Sequence, residues 1–141
     1  QTLGKKPDGT DWQVGIQNPD NVQGDLLGAV AVQDQAVITS GGYERYFEEN
    51  GQTYIHILDP RTGCPAESGL ASVTIVSSNG MLADALSTSL YIMGLDEAEA
   101  YWRIYADEFD MILMTDDGTV YVTEGIRDRF RTKGKMEVLP I

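Results

Sequence analysis

The chain has 141 residues, 42% hydrophobic and 23% charged, the make-up of a folded globular protein long enough to bury one core of ordinary size. Acidic residues outnumber basic ones 22 to 10, and a net charge of −12 repels phosphate backbones and anionic lipid, which argues against nucleic-acid or membrane-surface partners. A single cysteine, Cys64, excludes an internal disulfide framework, and no apolar run reaches the length of a membrane-spanning helix.

In chain order, "QTLGKKPDGTDWQ" lacks an initiator methionine and a secretory signal, and reads as the start of a fragment or processed product. "WQVGIQNP" is a strand closed by Asn-Pro. After a Gly/Asp-rich link, "LGAVAVQDQAVITSGGYERYFEENGQTYIHILDP" predicts a meander of three or four strands, broken at Gln33–Gln35, Ser40–Gly42 and Glu48–Gly51. "SVTIVSS" is a further strand. Asn79 caps a helix starting near Gly80, in which Leu82, Leu86, Leu90 and Met93 form a stripe and Gly94 offers the stop. "LDEAEAYWRIYA" is a second helix, acidic at its start as the helix dipole favours. "DMILMTDDGTVYVTEG" is a hairpin with an Asp-Asp-Gly turn, followed by a short "IRDRFR" turn and a last strand, "KMEVLP". The order predicts one α+β domain over residues 1–141: an antiparallel meander, an inserted helical pair and a C-terminal hairpin.

The only histidine stands in "TYIHILDPRTG". On a strand Ile55 and Ile57 share one face, and Tyr54, His56 and Leu58 the other. Asp59-Pro60 sets a tight turn in which the Asp side chain bonds backbone N–H groups just beyond it, and Gly63 takes a positive φ. His56 is therefore a packed residue satisfied by a neighbour, or an aimed donor or base at the lip of a site.

In "ADALST" Asp84 and Thr88 are four residues apart and leave one helical face, opposite the leucine stripe. A solvated face explains them. Yet the helix carries no other charge from Met81 to Gly94, and a helix nearly apolar all round is usually buried, so a lone Asp on it wants a partner. Carboxylate and hydroxyl side by side suit a hard cation such as Mg²⁺. Ser40, Gly41 and Gly42 bring backbone close to a ligand or, more simply, mark a β-bulge or turn. Cys64 has no neighbouring His or Lys to activate it and reads as bland. The tyrosines and the two tryptophans read as core or rim.

The run "ITSGGYERYF…YIHILDPRTGCPA…SVTIVSSNGMLADALSTSLYIMG", with its His-x-x-Asp-Pro-x-Thr-Gly element and the Ala-Asp-Ala-Leu-x-Thr that opens a helix, resembles the C-terminal half of the ApbE family of FAD:protein FMN transferases, from about Gly15 to Gly94. The resemblance implies layers of T-fold type and transfer of FMN from FAD to a Thr or Ser of a target flavoprotein, with release of AMP and dependence on Mg²⁺. It implies that Asp84 and Thr88 bind the Mg²⁺ and that His56 lies at the FAD pyrophosphate, as cofactor contact and catalytic base. It implies an extracytoplasmic, membrane-anchored lipoprotein. Family members carry a large N-terminal part with much of the flavin cradle, so this chain alone is expected to be inactive, and to associate with such a half or with itself. Hydrolysis of FAD to FMN and AMP, or flavin binding without catalysis, are the alternatives.

Overall fold

The computed structural model describes residues 1–20 and 24–141, so part of the link between the first two strands, residues 21–23, lies outside the described residues. The elements are β1 (Trp12–Gln17), β2 (Leu26–Val32), β3 (Ala36–Gly41), β4 (Tyr46–Glu49), β5 (Gln52–Ile55), β6 (Leu70–Ser77), α1 (Gly80–Met93), α2 (Leu95–Ile104), β7 (Asp110–Thr115), β8 (Val120–Thr123), a 3-10 segment (Glu124–Arg129), β9 (Phe130–Thr132) and β10 (Met136–Leu139). The class is α+β, as the sequence predicts. Consecutive strands divide among three sheets: β10-β8-β7-β6-β3, β1-β2-β9 and the isolated pair β4-β5.

The five-stranded sheet is the middle layer, and period-two alternation along its strands builds a core on each face. Val73, Ile75, Met111 and Leu113 face the helices, where Leu86, Leu90 and Trp102 complete one buried cluster. Val76, Ile112, Met114 and Val122 face the three-stranded sheet and meet Ile16, Val30, Val32 and Phe130 in the second. The Trp102 indole N–H is buried with its ring and donates to the Phe109 carbonyl at 3.0 Å, so the largest core side chain leaves no orphan donor.

Local chemistry sets the helix ends. The Asn79 side chain accepts from Leu82 N–H at 3.1 Å, and Gly94 N–H closes α1 on the Leu90 carbonyl. The buried face of α1 is Ala83, Leu86, Ser87, Leu90 and Tyr91, with Leu82 and Met93 only half-buried, so the contact is centred one position round from the leucine stripe. The opposite side is open: Met81, Asp84, Ala85, Thr88 and Ser89 are all exposed. This corrects the expectation that the helix is buried all round. One packed face sufficed, because the small side chains beside it need no cover.

Two pairings had no local signal. β9 joins β2 antiparallel, with Gly28 opposite Thr132, and β10 returns to lie parallel to β8. The β4-β5 pair turns at the break predicted over Glu48–Gly51 and forms an exposed arm, on which Phe47 stacks against Tyr54 with ring centroids 5.0 Å apart. The β3 ladder on β6 is regular from Ala36 to Gly41, so the glycine pair ends a strand and starts a turn rather than making a bulge.

Candidate functional site

Ala36, Ile38 and Ser40 share the face of β3 that looks at α1, and the row changes from apolar to polar at its last member. There Ser40 Oγ lies 2.8 Å from Ser87 Oγ and 3.0 Å from Thr88 Oγ1. Ser87 is fully buried and donates to the Asp84 carbonyl at 2.9 Å. Two residues beyond Ser40, the Gly42 N–H bonds the Tyr91 phenol oxygen. A Cβ at Gly42 would sit 2.9 Å from that oxygen and 3.0 Å from Ile55 Cγ2, so only glycine allows this approach. Burial, then the charge of Asp116, raises the Tyr91 pKa above the ordinary phenol value, so it stays neutral. The end of β3, the middle of α1 and the end of β5 thus meet at one junction.

Asp84 and Thr88 leave this junction together, one helical turn apart and both exposed. The Asp84 carboxylate has no ion-pair or hydrogen-bond partner among the described residues. Its donors are hard oxygens, the chemistry Mg²⁺ prefers. No group of three or more His, Cys, Asp or Glu gathers among the described residues, so most of an octahedral shell would fall to water and substrate oxygens. The two residues fit such an ion as a partial set.

His56 directly follows Ile55, where β5 ends. Ile57 is buried and Ile55 packs on the helix-side core, while His56 and Leu58 are exposed, so the alternation predicted for this stretch holds. The packed-histidine reading does not fit an exposed ring. Nδ1 lies 3.1 Å from the Arg45 carbonyl, which also accepts from the His56 backbone N–H. A carbonyl only accepts, so the neutral ring carries its proton on Nδ1 and keeps a lone pair on Nε2. Among the described residues His56 makes no hydrogen bond to Asp84 or Thr88. The link between them runs through Ile55 and Gly42.

The turn after His56 is self-contained. Asp59 accepts from Arg61 N–H at 2.8 Å, and the Arg61 guanidinium forks onto both carboxylate oxygens at 2.9–3.1 Å, which holds the carboxyl below its ordinary range. Gly63, at φ +70°, donates to the Asp59 carbonyl at 2.8 Å. A cleft of about 890 Å³ opens beside this turn, lined by Tyr54, Ile55, Cys64, Glu67, Tyr91 and Asp116 among others. No Lys or Arg lines it, and neither do His56, Asp84 or Thr88. An acidic cleft does not hold a pyrophosphate by itself, so the junction, not this cleft, is the candidate site.

These features define a three-layer α+β protein whose first helix presents a carboxylate and a hydroxyl beside a strand-end serine. The chain belongs to the ApbE family, whose model matches residues 1–113, a longer stretch than the motifs alone span. It is 38% identical over 121 residues to the FAD:protein FMN transferase of Treponema pallidum, covering 86% of this chain and 33% of that protein. Its identity to the protein of the same name from Klebsiella pneumoniae is 35% over 120 residues, covering 85% and 38%. The crystal structure of the ApbE protein from Thermotoga maritima superposes with a TM-score of 0.79 at 34% identity, covering 91% of this chain and 41% of that one. The chain therefore spans between a third and two-fifths of the relatives it matches here.

Proposed function

We propose that this chain is part of a Mg²⁺-dependent transferase that moves FMN from FAD to a Thr or Ser hydroxyl of a target flavoprotein and releases AMP. The observation that carries the reading is the outward pair Asp84 and Thr88 on a helix locked to the end of β3. The relatives' names, FAD:protein FMN transferase, supply the reaction class.

In this reading the acceptor hydroxyl oxygen bonds the FMN phosphorus, the phosphoanhydride bond breaks, and AMP leaves with that electron pair. The hydroxyl proton passes to His56 Nε2, the nitrogen that has the lone pair in the neutral ring because Nδ1–H donates to the Arg45 carbonyl. Asp84 and Thr88 would hold Mg²⁺ as part of its oxygen shell. When bound, the ion offsets charge on the pyrophosphate, the chief demand of phosphoryl transfer. An extracytoplasmic, lipid-anchored setting belongs to the same proposal.

The test is Asp84→Ala in the full-length protein, assayed for protein-bound FMN and for AMP across a Mg²⁺ titration. The expected result is loss of transfer with a shifted Mg²⁺ midpoint. Parent activity at an unshifted midpoint would make Asp84 a solvated helix residue. AMP formed without protein-bound FMN would identify a hydrolase.

A further inference from the structure

We propose that Ser40 is a positioning residue that fixes the hydroxyl proton of Thr88 and so turns Thr88 into a pure acceptor toward the cation, an inference that rests on the metal reading above. The argument is proton bookkeeping. Ser40, Ser87 and Thr88 have one hydroxyl proton each, and three contacts require donors. The Asp84 carbonyl only accepts, so the Ser87 proton is spent on it. The 2.8 Å contact between Ser87 and Ser40 then needs the Ser40 proton. The 3.0 Å contact between Ser40 and Thr88 is left with one donor, Thr88. No other assignment satisfies all three.

The chain of donation runs Thr88 to Ser40 to Ser87 to the Asp84 backbone, from exposed surface to buried helix. A hydroxyl that donates into a chain of this kind becomes a better acceptor, because each bond polarises the next. The Thr88 proton points inward, and its lone pairs are left for an ion on the exposed side it shares with Asp84. Without Ser40 the hydroxyl rotates freely, and part of the time its proton faces the cation. Supporting hydrogen bonds of this type commonly change metal affinity by about 10–100-fold.

The test is Mn²⁺ binding, followed by electron paramagnetic resonance with Mg²⁺ in competition, to the full-length protein and three variants of it. Mn²⁺ serves because it takes the same oxygen ligands in octahedral geometry. Ser40→Ala is expected to weaken Mn²⁺ by about tenfold or more. Ser40→Thr keeps the hydroxyl on a strand that accepts β-branched residues, and is expected to bind like the parent. Asp84→Asn is the control for the metal reading itself. Thermal unfolding without metal separates a packing role from this one, since lost packing lowers the midpoint without weakening the ion. Should Ser40→Ala not unfold cooperatively, Ser40→Cys replaces it, keeping the volume with a weak acceptor. Parent-like affinity in Ser40→Ala, with weakened binding in Asp84→Asn, would overturn the role of Ser40 and leave the metal site standing. No saturable Mn²⁺ binding by the parent, or parent-like binding by Asp84→Asn, would overturn both.

Discussion

The two halves of the candidate site are built in opposite ways. Asp84 and Thr88 ride on a helix whose other face is packed on β3 and β6 through Leu86, Leu90 and Tyr91, and whose Ser87 and Thr88 hydroxyls meet Ser40. His56 follows a two-stranded arm in which every residue of β4 is exposed, and its ring is fixed by a single backbone carbonyl. One half is preorganised by a core. The other stands on an exposed arm and is held by local backbone bonds. The contrast teaches that disturbing the packed face under the first half damages fold and function together, while disturbing the exposed arm spares the fold.

The largest effect expected from that contrast is on turnover. His56→Asn in the full-length protein should slow FMN transfer by about 10²–10⁴-fold if Nε2 takes the proton. Its thermal midpoint should stay with the parent, because the ring is exposed. A fall in midpoint with transfer intact would reverse the assignment of the arm. Next comes a matched pair on stability, read by denaturant unfolding. Leu90→Ala, at a fully buried position, should cost about 2–5 kcal/mol. Phe47→Ala, 60% exposed on the arm, should stay within about 0.5 kcal/mol of the parent. Equal losses would mean that the arm is as much part of the core as α1.

The smallest effect concerns pH and lies away from both halves. Asp110 is half-buried at the start of β7, accepts from Thr123 Oγ1 at 2.8 Å and lies 3.8 Å from Arg129. Burial raises its carboxyl pKa above the ordinary value despite those two partners. The folded state then holds that proton more tightly than the unfolded one, so this contribution to stability is present at acid pH and is lost as pH rises through the folded pKa. Asp110→Asn keeps the Thr123 bond and removes the titration. Its stability relative to the parent should therefore grow as pH rises from the acid end of that window to neutrality. A difference that stays flat with pH would contradict the burial argument.

How far these halves were legible in the sequence follows the range of the forces involved. The Asn79 cap, the stop at Gly94, the acidic start of α2 and the Asp59 turn are bonds between residues a few positions apart, and all of them are present. The shared face of Asp84 and Thr88 is a matter of helical period. Ser40 is different, because its partners lie 47 and 48 residues away and only the fold brings them together. Its signal in the sequence was a small polar residue where an inward-facing row should have stayed apolar. Tyr46 reads as core or rim by type and is exposed, and while the break at Glu48–Gly51 marks the β4-β5 turn, nothing local says that among the described residues this pair joins no larger sheet. The β9 pairing with β2 and the parallel return of β10 to β8 depend on contacts across most of the chain.

That last excursion acts as a tether. β9 is hydrogen-bonded into the three-stranded sheet and β10 into the five-stranded one, with only Lys133, Gly134 and Lys135 between them. A fully extended chain reaches at most about 3.5 Å per residue. Stacked sheets lie roughly 10 Å apart, and the four steps from Thr132 to Met136 reach about 14 Å at full extension, so these three residues leave only a few ångströms of slack. The two sheets cannot slide or part by more than a few ångströms without unzipping one of those strands, and the middle layer under α1 inherits that stiffness.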